Sequence, residues 1–207
     1  MAVGARRPHG VSRFRHRAAA LGLLTSLAVA GCAVERPVPA SLPPPRELGP
    51  PPIISRFGAW TGAGNRTRGW QHYGIDIRVP VGTPVLAAAD GTVVRTGTHP
   101  NSGKLVVVAH TDDLATVYWH LSEIDVRPDQ TVRRGDPLGR SGMTGNATTP
   151  HLHFGVCRRP LGQCGNRINT GWDDPAAHWI EGVPCFTPDR AYASAPARLT
   201  YPLPCSG

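Results

Sequence analysis

The chain has 207 residues, enough for one core of about 100–150 residues with additional tails. Its formal net charge is +8, but five arginines and no acidic residue fall within the first 31 positions. The other 17 basic and 14 acidic residues give a net charge of only +3. This charge is too small to indicate nucleic-acid binding. We therefore expect no nucleic-acid partner.

The first 31 residues are typical of a secretory signal peptide. A basic segment that includes Arg6 and Arg7 precedes an apolar run at residues 18–30. This run has about half the length that a membrane-spanning helix needs. We therefore expect residues 1–31 to direct export and not to form part of the folded protein.

The apolar run ends in Val29-Ala30-Gly31-Cys32, which resembles the bacterial lipobox. In that motif the cysteine is lipidated and becomes the mature N-terminus, so Cys32 is predicted to carry a membrane anchor. A chance cysteine after an ordinary signal peptide is the alternative. Because Ala33 is not an aspartate, the resemblance favours the outer membrane, facing the periplasm, in a bacterium with two membranes.

Residues 32–53 are predicted to be a Pro-rich linker. Proline favours polyproline II and prevents a packed helix, so the segment would be a semi-rigid spacer between the lipid and the domain. Its eight prolines are Pro37, Pro39, Pro43, Pro44, Pro45, Pro50, Pro51 and Pro52.

The folded domain is predicted over residues 54–186. Its first part, residues 56–73, is rich in glycine and polar residues and is expected to be a flexible loop with aromatic anchors at Trp60 and Trp70. Residues 83–95 then indicate two short strands around an Asp90-Gly91 turn.

Residues 104–120 indicate a hairpin around Thr111-Asp112-Asp113, and residues 131–138 a short strand and turn. A loop rich in Gly, Ser, Thr and Asn follows at residues 139–149. Since no long segment after the signal has an apolar period of 3.6 residues, the domain is predicted to be mainly β, with antiparallel sheets of short strands. Residues 187–207 are expected to be an irregular C-terminal tail.

Four cysteines remain after Cys32, and an even number in an exported chain suggests disulfides. Four cysteines allow three connectivities. We favour one bond between Cys157 and Cys164 and another between Cys185 and Cys205, because each closes a short loop. A zinc–cysteine site is the alternative, but the chain has no C-x2-C spacing.

Two histidines, His151 and His153, lie two residues apart among β-favouring residues. In a strand, side chains at i and i+2 share one face about 6.6 Å apart. One could bind a metal while the other points at whatever the metal holds. An ordinary surface strand is the alternative, and the choice between them depends on whether the chain supplies partners.

A catalytic zinc ion needs about three N or O ligands and one open position. His72 and Asp76 are candidates, but four residues of extended chain span about 13 Å, whereas ligand atoms on one zinc lie about 3.4 Å apart. The chain must therefore bend between them, and Gly74 would allow it. His120 ends a separate predicted strand and is a third candidate. The remaining histidines of the domain are predicted to be surface or structural residues: His99, His110 and His178.

Three motifs now stand in order: His72-x-x-x-Asp76, Tyr118-Trp-His-Leu and Pro150-His-Leu-His-Phe. They resemble the lysostaphin/LytM-type zinc metallopeptidases, bacterial peptidoglycan endopeptidases with a duplicated-hybrid-motif β fold. The resemblance covers residues 56–156, and the chain after Val156 departs from it. Further similar phrases are Gly74-Ile-Asp-Ile, Gly82-Thr-Pro-Val, Ala89-Asp-Gly-Thr-Val, Arg134-Gly-Asp-Pro-Leu-Gly and Ser141-Gly-Met-Thr-Gly.

The resemblance implies one Zn²⁺ ion held by His72, Asp76 and His153, with His120 and His151 as catalytic histidines. It also implies hydrolysis of peptide bonds in peptidoglycan stem peptides or cross-links, with D-amino-acid cross-links favoured over glycyl bridges. We expect a monomer that acts in cell-wall remodelling while a lipid holds it to the membrane. The sequence has no His-Glu-x-x-His motif, so the general base would be His151 or His120.

The sequence disfavours two other classes of function. A non-catalytic envelope regulator of the same fold, which would activate murein amidases, is disfavoured because all five site residues are present. A biotinyl or lipoyl carrier is disfavoured because the chain's only lysine, Lys104, is not in a carrier hairpin context and the protein is predicted to be exported.

Overall fold

The computed structural model describes residues 49–61, 70–158, 171–180, 185–188, 190–192 and 198–205. The signal segment, most of the linker, Cys32 and Cys164 lie outside these residues, so the interpretations of them stay predictions. Nowhere in the described part is there a helix with the length and hydropathy to span a membrane.

Short strands make up nearly all the regular structure of the described residues, which confirms the predicted mainly β fold. A 3₁₀ helix, Pro175–His178, is the exception. The strands are β1 Ile53–Ser55, β2 Trp60–Thr61, β3 Trp70–Gln71, β4 Ile75–Ile77, β5 Pro84–Leu86, β6 Gly91–His99, β7 Gly103–Thr111, β8 Leu114–Leu121, β9 Glu123–Ile124, β10 Thr131–Val132, β11 Pro137–Arg140, β12 Leu152–Cys157 and β13 Trp172–Asp173.

Eight of these strands form the main sheet, in the order β1-β4-β12-β8-β7-β6-β10, with β13 also paired to β12. A second sheet has the order β5-β11-β9, and β2 pairs with β3. All these pairings are antiparallel, as predicted. The predicted hairpin over residues 104–120 is confirmed by the pairing of β7 with β8.

Strand β12 divides the domain into a core side and a site side. All six of its residues are buried, and successive side chains of a strand point to opposite faces. Leu152, Phe154 and Val156 belong to the hydrophobic core. His153 therefore faces the other way, and it is only 3% exposed although it is polar.

The Asp90-Gly91 segment is not a hairpin turn, so that prediction was wrong. The strand before it, β5, pairs with β11, whereas the strand after it, β6, pairs with β7 and β10. The buried residues Ala87, Ala88 and Ala89 instead carry the chain from one sheet to the other. A turn signal between two apolar runs cannot distinguish these outcomes, because both need the same change of direction.

The predicted loop at residues 56–73 contains two short paired strands, with Trp60 opposite Gln71. Trp60 is 52% exposed, so the expectation that it anchors this segment was wrong. Residues 62–69 lie outside the described part of the chain.

The predicted irregular tail contributes to the core. Residues 198–205 form only isolated bridges, yet Leu199, Tyr201 and Leu203 are at most 2% exposed. The Tyr201 hydroxyl donates a hydrogen bond of 2.7 Å to the carbonyl of Pro51. A disulfide joins Cys185 to Cys205, whose Cα atoms lie 5.5 Å apart, and it ties this segment to the domain.

The other predicted disulfide is described at one end only. Cys157 is disulfide-bonded, but Cys164 lies outside the described residues. The pairing of these two cysteines therefore stays a prediction.

The chain bends at residues 73–74, between β3 and β4, as the spacing of His72 and Asp76 requires. A Cβ added to Gly74 would lie 2.3 Å from the carbonyl oxygen of Phe154 and 3.0 Å from the Cα of Gly155. Both atoms belong to the backbone of β12, and moving them would disturb the pairing of that strand. The absence of a side chain at Gly74 thus allows the bend to lie directly against β12.

We predict that Gly74→Ala lowers the free energy of unfolding by at least about 2 kcal/mol, because overpacking against backbone cannot be relieved by a rotamer change. Urea unfolding of the purified variant measures this loss. Gly49→Ala is the matched control, since a Cβ there meets nothing within 4 Å. Equal stability of the two variants would contradict the packing explanation.

His110 is part of a chain of hydrogen bonds that includes Asp90, Thr116 and Tyr118. Its Nδ1 lies 2.8 Å from the carbonyl of Asp90 and its Nε2 lies 2.8 Å from the hydroxyl of Thr116. A further bond of 2.9 Å joins the hydroxyls of Thr116 and Tyr118. Burial lowers the pKa of His110 to about 4, although the bond to Asp90 opposes the shift. His110 is therefore neutral in the folded protein at neutral pH.

We predict that the protein loses stability in acid partly through His110. The imidazole has an ordinary pKa of about 6.5 in the unfolded chain, so below that pH the unfolded state binds a proton that the folded state refuses. The contribution of His110 is complete above pH 6.5 and is lost as the pH falls towards 4. Urea unfolding should show a loss of roughly 2 kcal/mol from this residue between pH 7.5 and pH 5.

His110→Asn keeps a donor for the Asp90 carbonyl but cannot titrate. Its stability should fall by about 2 kcal/mol less than that of the wild type over the same range. The pKa of His153 is also lowered by burial, but its contribution is common to both proteins and cancels. An identical pH dependence in the two proteins would refute the role of His110.

Candidate metal centre

Three side chains predicted as zinc ligands converge beside β12. The Nε2 of His72 lies 3.0 Å from the Oδ1 of Asp76 and 2.9 Å from the Nδ1 of His153. The Nδ1 of His153 lies 3.0 Å from the same carboxylate oxygen. The three atoms therefore form a nearly equilateral triangle that could hold a metal ion.

Backbone pairing brings these side chains together. In the register of β4 with β12, Asp76 lies directly opposite His153, so the two side chains leave the same face of the sheet. His72 precedes the bend at Gly74, and its N–H donates to the carbonyl of Ala59 over 2.8 Å. Two adjacent strands and one bend are enough to assemble the triangle.

The ring of His72 is oriented by hydrogen bonds on its far side. Its Nδ1 lies 3.1 Å from the carbonyl of Arg56 and 3.1 Å from the hydroxyl of Ser55. A carbonyl can only accept, so Nδ1 carries the proton and the lone pair of Nε2 points into the triangle. This is the usual way in which proteins fix the tautomer of a metal-binding histidine.

The ring of His153 is held differently. Its Nε2 is buried and has no hydrogen-bond partner among the described residues. The flat face of the ring instead stacks on Trp119, with centroids 4.3 Å apart and planes inclined by 11°. Trp119 lies opposite His153 in the register of β8 with β12.

The protonation states of the triangle suit a metal ion. Burial raises the pKa of the Asp76 carboxyl, but hydrogen bonds and charge interactions with His153 and His72 outweigh it and hold that pKa well below its ordinary value. Burial lowers the pKa of His153 to about 4, despite the attraction of Asp76. The Asp76 carboxylate and the neutral His153 ring are the forms that bind metals, and two N ligands with one O ligand suit a catalytic zinc ion.

His120 and His151, the predicted catalytic histidines, lie next to the triangle. Their ring centroids are 4.7 Å apart, and the Nε2 of His151 lies 3.6 Å from the Oδ1 of Asp76. The Nδ1 of His120 donates to the carbonyl of Thr144 over 2.7 Å, and that of His151 donates to the carbonyl of Thr149 over 2.7 Å. In the neutral form of each ring Nε2 is therefore an acceptor. Burial also lowers the pKa of His120, which keeps that ring neutral.

The backbone of His120 is strained. Its φ is +62°, in the left-handed region that costs a side-chain-bearing residue about 1–2 kcal/mol. The strain arises where the β7–β8 register breaks between Lys104 and Val106, a bulge that places residues 119 and 120 opposite Leu105. Bulges commonly redirect a side chain beside a site, and strain of this kind persists where the surrounding structure enforces it.

The other histidines of the domain are engaged elsewhere. The ring of His178 lies 2.9 Å from the Asp173 carboxylate, His110 contacts Thr116, and His99 accepts from the N–H of Asn101. Sequence reasoning missed the neighbours that orient the triangle, namely Ser55, Arg56 and Trp119. Trp119 could have been noticed because it directly precedes His120, whereas nothing local connects residues 55 and 56 to His72.

Comparison with known proteins supplies the family. The profile described as Peptidase family M23 matches residues 70–169, a range that contains all five histidine and aspartate residues of the site. The peptidoglycan DD-endopeptidase ShyA of Vibrio cholerae is 48% identical over 83 residues, which are 40% of this chain and 19% of that protein. The chain thus spans about a fifth of that relative's length.

Solved structures agree with the sequence comparison. The catalytic domain of lysostaphin from Staphylococcus simulans superposes with a TM-score of 0.51 at 30% identity, over 59% of this chain and 86% of that domain. A zinc containing peptidase from Vibrio cholerae superposes with a TM-score of 0.50 at 36% identity, over 54% of this chain and 35% of that protein. Fold, motif order and identity together show that this chain belongs to peptidase family M23.

Proposed function

We propose that the protein is a zinc-dependent endopeptidase that hydrolyses peptide bonds in peptidoglycan stem peptides or cross-links. The observation that carries the proposal is the convergence of the His72 Nε2, Asp76 Oδ1 and His153 Nδ1 atoms within 3.0 Å of one another. Support for the substrate comes from a relative named as a peptidoglycan DD-endopeptidase, and support for zinc comes from a structural neighbour described as zinc containing.

In this proposal His72, Asp76 and His153 hold one Zn²⁺ ion. When bound there, zinc would polarise the scissile carbonyl and lower the pKa of a water molecule. The chain itself supplies the anionic charge through Asp76, keeps the His153 ring neutral through burial and directs the Nε2 lone pair of His72 into the triangle through the hydrogen bond of its Nδ1.

His120 and His151 provide the acid–base chemistry. Each donates Nδ1–H to a backbone carbonyl, so its Nε2 can accept a proton from the attacking water and later pass it to the leaving amine. The protonated form of the other ring can donate a hydrogen bond to the developing oxyanion. The two roles therefore need one ring in its neutral form, as the base, and the other in its protonated form, as the donor.

The arrangement of the site argues against a non-catalytic regulator. A regulator that only activates amidases has no need of five polar side chains arranged around one point, so their presence favours hydrolysis.

Attachment through a lipid on Cys32, with residues 33–52 as a spacer, would place the enzyme in the cell envelope. In a bacterium with two membranes it would be held at the outer membrane. We further propose that it acts there as a monomer on cross-links that contain D-amino acids.

The decisive experiment is a digest of purified, cross-linked muropeptides combined with metal analysis. The wild-type protein should contain about one zinc per chain and cleave the cross-links, and a chelator should abolish cleavage until zinc is restored. His72→Ala and His153→Ala should each lose both zinc and cleavage, because two ligands do not hold a catalytic zinc ion.

His99→Ala is the matched control, since His99 is exposed and lies outside the triangle. It should retain zinc and cleavage. Full activity of His72→Ala would refute the metal site. Zinc binding without cleavage in the wild type would favour the regulator.

We predict that His120→Ala and His120→Gly both retain zinc but lose cleavage by at least about 100-fold, the usual contribution of a positioned acid or base. They should differ in stability. Glycine relieves the strain at φ +62°. The free energy of unfolding of His120→Gly should therefore be about 1 kcal/mol higher than that of His120→Ala.

Zinc analysis, the muropeptide digest and urea unfolding measure the three effects separately. Loss of zinc from both variants would indicate that His120 is a zinc ligand. Undiminished cleavage would remove it from the reaction.

A further inference from the structure

We infer that Trp119, supported by Trp172 of the C-terminal extension, is a positioning residue that orients the ring of His153 for metal binding. The inference rests on the proposed zinc site and gives a role to Trp172, which lies beyond the residues 70–169 that the family profile matches. Its basis is the contrast between the two ligand histidines.

A ligand histidine must present one ring nitrogen in a fixed direction. His72 achieves this through hydrogen bonds from its remote nitrogen to residues 55 and 56. The remote nitrogen of His153 makes no such bond among the described residues. Rotation of the His153 ring must therefore be limited by packing.

Trp119 supplies that packing. Its indole covers the His153 ring at 4.3 Å and nearly parallel planes, while the ring of His72 meets His153 edge-on at a centroid distance of 4.8 Å. A partial turn of the His153 ring about its Cβ–Cγ bond would break the stack and move Nδ1 out of the triangle. The stack thus replaces the missing hydrogen bond.

Trp172 also packs against Trp119. The two indoles meet edge to face, with centroids 5.8 Å apart and planes at 83°. Trp172 in turn stacks on Tyr73, with centroids 5.6 Å apart and planes inclined by 12°. Tyr73 follows His72 in the chain, so the aromatic group of Tyr73, Trp119 and Trp172 links the His153 ring to the segment that carries the other ligand histidine.

The backbone explains how the extension reaches this position. β13 pairs with β12 so that Trp172 lies opposite Cys157, on the face of the sheet that carries His153. Gly155 lies between His153 and Cys157 on the same face of β12, and it leaves room for the Trp172 indole. A Cβ there would lie 3.0 Å from the Cζ3 of Trp172.

The test is the equilibrium zinc affinity of the purified full chain, measured by competition with a chelating dye. Trp119→Leu keeps apolar bulk but removes the flat ring, and it should weaken zinc binding by about 10-fold or more, the range seen when an orienting partner of a ligand is lost. Trp119→Phe should recover most of the affinity. Trp172→Leu should produce a smaller loss in the same direction.

Trp179→Leu is the matched control. Trp179 stacks on Phe154, with centroids 5.6 Å apart, on the core side of β12. The variant should lose stability without a change in zinc affinity, and urea unfolding of all four variants separates the two effects. Zinc affinity of Trp119→Leu within two-fold of the wild type would overturn the inference.

A second readout needs no metal. In the metal-free protein the Cε1 proton of His153 should resonate upfield because it lies under the indole ring, and Trp119→Leu should move it downfield. Failure of the wild type to bind zinc at all would remove the proposed function together with this inference. Zinc that is lost in His72→Ala but retained in Trp119→Leu would remove the inference alone.

Discussion

The candidate metal centre depends on the direct contact between Gly74 and the backbone of β12. A residue with a side chain would collide with the Phe154 carbonyl, and the bend could then not bring His72 back towards Asp76. The register of β4 with β12 adds His153 opposite Asp76. A slip of one residue would turn His153 towards the core and Phe154 towards the site. Backbone geometry, and not attraction between the side chains, therefore assembles the centre.

Assembly has electrostatic and conformational costs that the surroundings offset. A mostly buried carboxylate such as Asp76 is destabilising unless it is hydrogen-bonded or bound to a metal. Because the lone pair of His72 Nε2 points towards this carboxylate from 3.0 Å, a bound cation would offset the cost. The left-handed backbone of His120 is a second cost, imposed by the bulge in β8. Such costs are typical of functional sites, where the remaining structure provides the stability that local geometry loses.

Local sequence features predicted the elements that form by local pairing. The β7–β8 hairpin follows from a turn signal between two apolar runs. The equivalent signal at Asp90-Gly91 failed because β5 pairs with β11, a strand from much later in the chain. The C-terminal contribution to the core was also missed. Three apolar residues, Leu199, Tyr201 and Leu203, alternate there, and their burial depends on core residues that only the assembled sheets bring together.

The sequence by itself determined which chemistry the site can perform, because residue type and order are local information. It supplied two histidines that share a strand face, a His–Asp pair that required a bend, and a third histidine at a strand end. The tertiary structure decided which of them meet. Pairing of β12 with β4 separates His153, inside the triangle, from His151 beside it. Pairing with β8 and β13 sets Trp119 and Trp172 around His153. Strand adjacency follows from packing of the whole core, which no single segment encodes.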